Sequence, residues 1–152
     1  RDKSIIMQFF RINKNKLELL KKRALNSNKK RSRICGHKNT KANIHEMFVC
    51  LHKSTYVPPH NHKNKIESYH MIEGEVDVYI FYINGKIKNK ITLSSKSKTK
   101  HFYLRIEKKV YHTLVPKTKF AIFHEVTQGP FNKRENIQNQ MKIFNKKKFI
   151  TN

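Results

Sequence analysis

Between about Ile44 and Val126 the chain is a succession of short runs rich in Val, Ile, Tyr and Phe, each closed by turn residues. Apolar runs of that length read as strands, and many of them in one stretch point to a sandwich or barrel. The expected strands are Ile44–Leu51, Tyr56–His60, Glu67–Glu73, Glu75–Ile83, Lys86–Leu93, His101–Ile106, Tyr111–Val115 and Phe120–Thr127. Asn84-Gly85, set between two such runs, predicts a hairpin with a type I′ turn, which needs positive φ at both central residues. Gly74 marks a second tight turn. The run Val76–Ile83 is apolar on both faces, as suits the inner wall of a barrel that is also covered from outside. The fold class is mainly β.

The flanks differ in texture. From Ile5 to Leu25 the pattern is helical: Leu17, Leu20 and Ala24 recur at three- and four-residue spacing, while Lys16, Lys21 and Lys22 face water. Asn26-Ser27-Asn28 breaks that pattern, and Lys29 to Arg33 reads as a basic connector. After Gly129-Pro130 comes a polar, basic tail with a weak helical pattern at Ile137–Phe144 and a charge run at Lys146–Lys148. A chain of 152 residues fits one domain. Within it we expect a leading helix and connector at 1–36, a β-barrel at 37–131 and a tail at 132–152.

Charge narrows the partners. There are 34 Lys+Arg against 10 Asp+Glu, a formal net charge of +24. The lysines fall on turns and ends as much as on any one face, and no nucleic-acid-binding motif accompanies them. The expected partner is therefore a small anionic metabolite and not a specific nucleic acid. No run approaches the roughly 18 apolar residues of a membrane span, and the first residues lack the pattern of a secretory signal. We expect a soluble cytoplasmic protein in which Cys35 and Cys50, which form no C-x-x-C pair, are reduced thiols.

The chemistry concentrates in Pro59-His60-Asn61-His62-Lys63-Asn64-Lys65-Ile66-Glu67. Residues two apart in extended chain point to the same side, so His60 and His62 project into one space. Glu67 can meet them from the next strand once the intervening residues turn. Two imidazoles and a carboxylate with open positions suit a divalent transition metal, with Zn, Fe, Mn and Ni all compatible. His112, in the β-prone segment Val110-Tyr111-His112-Thr113, can supply a fourth ligand.

His60-x-His62-x4-Glu67-x6-Gly74 resembles the first cupin motif in residues and spacing, and His112 falls where the second motif places its histidine. Further likeness, carried by Arg31-Ser32-Arg33-Ile34-Cys35-Gly36-His37, Ser54 to His62, Tyr111-His112-Thr113 and Glu125-Val126-x2-Gly129-Pro130, resembles the WbuC-type cupin metalloproteins from about Leu17 to Phe131. The resemblance implies a small jelly-roll β-barrel with an N-terminal helix, and one metal held by His60, His62, Glu67 and His112. It also implies a setting in surface-polysaccharide biosynthesis and, by analogy with other cupin barrels, a homodimer. The sequence departs from the general motifs at Ser54, where the first begins with Gly. It departs again at Glu107 and Lys109, where the second carries Pro and Gly. A turn without its glycine is expected to take another geometry.

Around this centre, Arg31 and Arg33 are candidates for binding an anionic group at the barrel mouth, because guanidinium pairs bidentately with carboxylate or phosphate. Tyr56, Tyr69 and Tyr111 can line the cavity, and Glu125 can orient a ligand histidine from behind. His70, three residues after Glu67, belongs on the opposite face, and His37, His45, His52, His101 and His124 read as surface or hydrogen-bonded histidines. The leading functional expectation is a metal-dependent isomerase or epimerase acting on an anionic sugar or nucleotide-sugar. The alternatives are an Fe(II)-dependent cupin dioxygenase and a non-catalytic, metal-stabilised sugar-binding module.

Overall fold

A computed structural model describes residues 9–132. The expected tail helix at Ile137–Phe144, the Lys146–Lys148 run and the first residues of the expected leading helix lie outside the described residues. The one α-helix among them, α1 (Lys14–Asn26), begins later than its apolar pattern suggests. Asn13 is the reason: its backbone is extended, and its side chain accepts a hydrogen bond from the Lys16 N–H, the usual N-cap arrangement. This helix is too short to cross a membrane, and no longer apolar helix occurs among the described residues.

Eight strands follow: β1 (Arg31–Cys35), β2 (Ile44–His52), β3 (Glu67–Glu73), β4 (Glu75–Phe81), β5 (Ile87–Ser94), β6 (Tyr103–Ile106), β7 (Tyr111–Pro116) and β8 (Phe120–Gln128). They form a five-stranded sheet in the order β1-β2-β8-β3-β6 and a three-stranded sheet in the order β5-β4-β7. All the strand pairs within these sheets are antiparallel. Between the sheets Leu51, Tyr69, Met71, Val76, Val78, Leu93, Leu114 and Phe123 form the buried core. On the outer face of the large sheet, Leu20 and Ala24 of α1 pack against Cys50 and Ile122.

Three expectations change. The basic connector is instead an edge strand, β1, paired with β2 from Arg31↔Leu51 to Cys35↔Met47. Its alternation sends Ser32 and Ile34 to the helix side, where the Ser32 hydroxyl donates to the Leu20 carbonyl (2.6 Å). Arg31, Arg33 and Cys35 share the inner face with their partners Leu51, Val49 and Met47. Residues 56–59 belong to no strand, and only His60 bridges, to His112. The Asn84-Gly85 hairpin is not type I′: Gly85 alone has positive φ (84°), and its N–H donates to the Tyr82 carbonyl (2.9 Å). That is a three-residue loop of the type closed by a left-handed glycine. Gly74 behaves as expected, with φ 77° and with the Phe120 carbonyl and Thr118 hydroxyl occupying the space a Cβ would need.

The cysteines are free. Cys35 faces inward and Cys50, paired opposite Ser32, faces α1, so the sheet itself keeps the two thiols apart.

Candidate metal centre

Cross-strand register builds the inner face of the large sheet in rows. One row runs His45–Thr127–Glu67–Ile106 across β2, β8, β3 and β6, and the next runs Met47–Glu125–Tyr69–Leu104. Glu67 and Tyr69 therefore stand side by side on β3, pointing into the space between the sheets. From the other side comes the segment linking β2 to β3. His60 exchanges both backbone hydrogen bonds with His112 (3.0 and 2.9 Å), and the Lys109 N–H donates to the His62 carbonyl (2.7 Å). Directly opposed residues project to the same face, which brings the His60 and His112 rings to 4.6 Å. His62, two residues on, projects with them, its ring 5.1 Å from that of His60.

The result is a cluster in which one ligating atom from each of His60, His62, Glu67 and His112 lies within 4.8 Å of the other three. Glu67 and His112 are buried, and His60 and His62 nearly so. Glu67 Oε1 sits 3.1 Å from His62 Nε2, and Oε2 sits 3.1 Å from His112 Nε2. The Tyr69 hydroxyl donates to Oε2 (2.8 Å) and lies 3.2 Å from His112 Nε2.

Tautomers decide what these atoms can bind. His60 Nδ1 faces the Pro58 carbonyl (2.8 Å) and His112 Nδ1 faces the Val110 carbonyl (2.9 Å). A carbonyl only accepts, so each Nδ1 carries hydrogen, and Nε2 is the atom each ring turns toward the cluster. His62 Nε2 is buried and, despite its nearness to Glu67, has no aligned hydrogen-bond partner. Three ring nitrogens, that of His62 without a hydrogen-bond partner, and a buried carboxylate face one another within ligating distance. The donor set thus fits a divalent transition metal.

Electrostatics agree. Burial opposes ionisation of Glu67, but the closely set His112 and His62 outweigh it and hold its carboxyl well below the usual range. Burial, aided by His112, pushes His60 down to about 4, so its ring is neutral and free to ligate near pH 7. Burial and then the neighbouring Glu67 carboxylate push Tyr69 well above the usual phenol range, which keeps its hydroxyl a donor.

A cavity of about 520 Å3 opens above the cluster. His60, His62, Glu67 and Tyr69 lie on its lining, as do Arg31, Arg33 and Glu125. Tyr56 and Tyr111 are not among its lining residues; Val57 turns inward in place of Tyr56, its carbonyl accepting from the Thr113 hydroxyl (2.5 Å). Glu125 stands beside Glu67 and not behind a histidine, because β8 places it next to Tyr69 on the cavity wall. Burial, then the Glu67 charge, raise its carboxyl to about 8, with Arg33 and Arg31 pulling the other way. The Pro58 and Val110 carbonyls orient the His60 and His112 rings. His70 is exposed on the outer face beside Phe102, as strand alternation requires.

Sequence reasoning placed Tyr69 on the Glu67 face but missed its bond to that carboxylate. The signal was the two-residue spacing of Glu67 and Tyr69. It also missed the turn before His112. Lys109 has φ 65°, the left-handed geometry of the glycine it replaces, so the turn keeps the shape and His112 its place.

The oxalate decarboxylase OxdC of Bacillus subtilis is similar in structure, with a TM-score of 0.51 and 19% identity over 65% of this chain and 24% of that one. KdgF from Halomonas sp. has a TM-score of 0.54 and 12% identity, covering 72% of this chain and 87% of its own. A cupin superfamily protein from Desulfitobacterium hafniense has a TM-score of 0.50 and 11% identity, covering 64% and 76%. The chain thus spans about a quarter of the oxalate decarboxylase, and at these identities the likeness is one of fold. No curated protein matches the sequence. The fold is that of the cupin superfamily, and with residues 12–93 matching its pattern the chain belongs to the family described as a domain of unknown function, DUF6016.

Proposed function

We propose that His60, His62, Glu67 and His112 hold one divalent transition metal ion and that the cavity above them takes a small anionic metabolite. The observation that carries this reading is the convergence of three imidazole nitrogens on a buried carboxylate, with the His62 nitrogen lacking a hydrogen-bond partner. Mn, Fe, Ni and Zn all accept such a ligand set. The oxalate decarboxylase, a fold relative, is described with Mn(II) centres.

The protein's own groups do the positioning. The Pro58 and Val110 carbonyls fix two imidazole tautomers, and the Tyr69 hydroxyl fixes the rotation of Glu67. Arg31 and Arg33, on the edge strand over the cavity, offer forked donors to a carboxylate or phosphate. Apolar side chains such as Val49, Leu51, Leu114 and Phe123 line the cavity below them and limit its water. When bound, a metal ion of this class supplies Lewis acidity to a ligand oxygen, easing proton removal or isomerisation. Within this reading the WbuC-type resemblance directs the search for ligands to sugars and nucleotide-sugars of surface-polysaccharide assembly. Cytoplasmic location and a homodimer go with it.

The test is bound metal, quantified by plasma mass spectrometry on protein purified without a histidine tag. Near-stoichiometric metal in the parent, lost in His60→Ala and Glu67→Ala, is the expected result. A parent that stays metal-free after reconstitution with Fe(II), Mn(II), Ni(II) and Zn(II) would sink the reading.

A further inference from the structure

Beside the metal centre lies a second, smaller cavity of about 160 Å3. It shares Arg33, Met47, His62, Glu67 and Glu125 with the large one, so a single molecule can reach from one into the other past the metal ligands. Its own walls come from His37, His45, Lys65 and Thr127, among others. None of these residues belongs to the metal cluster.

Two features say what it accepts. The first is unspent positive charge. Glu67 is engaged by His62, His112 and Tyr69, which leaves Glu125 as the one other acid on the wall. Arg33 makes a single weak side-chain contact among the described residues, from Nη1 to the Met47 sulfur (3.9 Å), so most of its five N–H donors remain for a ligand. Lys65 uses one of its three ammonium hydrogens on the Pro130 carbonyl (2.6 Å).

The second feature is His45. It is 4% exposed, and its ring stacks on that of His37 at 4.1 Å with the planes 10° apart. The Thr40 and Ala42 carbonyls take its hydrogen, while Nε2 is buried without a hydrogen-bond partner among the described residues. Burial, with His37 and Lys65 nearby, favours the neutral ring. A neutral imidazole that donates to carbonyls presents a bare lone pair on its other nitrogen, and buried acceptors are seldom left unpaired in folded proteins. The missing partner is a group that brings a hydrogen. A hydroxyl does so, and a bare carboxylate cannot.

We propose that the small cavity is a subsite for a hydroxylated carboxylate. The anion pairs with Arg33 and Lys65, a neighbouring hydroxyl donates to His45 Nε2, and the rest of the molecule lies over the metal centre. This deepens the reading above and rests on it for the position of the molecule's other end.

The experiment is titration calorimetry on the full chain, metal-loaded, with D-gluconate and with hexanoate, an acid of the same chain length without hydroxyls. Metal content is measured on every sample. Gluconate is expected to bind at least tenfold more tightly than hexanoate. His45→Phe, which keeps a ring to stack on His37, should weaken gluconate about tenfold and leave hexanoate unchanged, the size of one lost hydrogen bond. Arg33→Gln, at an exposed edge position that folding tolerates, should weaken both acids. Equal binding of the two acids, or gluconate affinity untouched in both variants, overturns the subsite while retained metal leaves the metal reading standing. A metal-free parent strikes the metal reading instead, and the comparison between parent and His45→Phe still decides the subsite.

Discussion

Lys109 shows how far a motif can drift while its geometry holds. The departure from glycine ahead of His112 suggested a reshaped turn, yet Lys109 adopts φ 65° and its N–H still reaches the His62 carbonyl. Left-handed backbone costs a side-chain-bearing residue about 1–2 kcal/mol. Glycine removes that cost and gives back part of it through a more flexible unfolded chain. Lys109→Gly should therefore raise stability by about 0.5–1 kcal/mol, read as a higher midpoint in urea with an unchanged slope. No sequence pattern displays this strain, because it belongs to a dihedral angle imposed by two neighbouring hydrogen bonds. His60, His62 and Glu67 were legible because their meeting follows from strand alternation alone. The tautomers were not, since the carbonyls of Pro58 and Val110 that set them come from local backbone folding.

Among the elements, β1 was the one hidden by composition. Lys29 to Arg33 reads as a charge run, but only alternate residues of β1 face the cavity, while Ser32 and Ile34 pack toward α1. Charge at every second position is what an edge strand with one face over a polar cavity looks like. The helix was legible from its leucine spacing, and its start was fixed by Asn13, whose capping role only the backbone reveals. α1 also roofs the outer face of the large sheet: Leu20 is fully buried against Cys50 and Ile122. Leu20→Ala should cost about 2–4 kcal/mol through lost burial and the void left behind. The metal cluster lies on the other face of that sheet, so metal content at 20 °C, roughly, should be unchanged while the denaturation midpoint falls. Metal loss alongside the lost stability would show that the helix supports the site as well as the fold.

At the scale of the molecule, the expected mainly β fold stands, with two sheets around one core and a helix outside. Register and the assignment of strands to sheets were not legible, since they depend on pairings between distant segments, such as β2 with β8. The buried site gives the whole fold a pH dependence in its metal-free form. Folding depresses His60 to about 4 from its ordinary value near 6.5, so the unfolded chain takes up the proton first. The His60 contribution is full above pH 6.5 and is lost as pH falls toward 4, with depressed Glu67 extending the loss further down. Glu125, raised to about 8, acts in the opposite sense and adds stability as pH falls from 8. Chelated Glu125→Gln protein, in which that opposing group is gone, should show a melting temperature that declines steadily from pH 7 to 4. A flat profile over that range would contradict the burial of these ligands. Finally, consider the rim. Arg31 and Arg33 overhang the cavity of a chain with a formal charge of +24. The field that draws an anion inward repels a free dication on the same path. Loading of the site is then kinetically guarded: an ion escorted by an anionic chelator enters more readily than a bare hydrated one, and added salt, by screening the rim, narrows the difference.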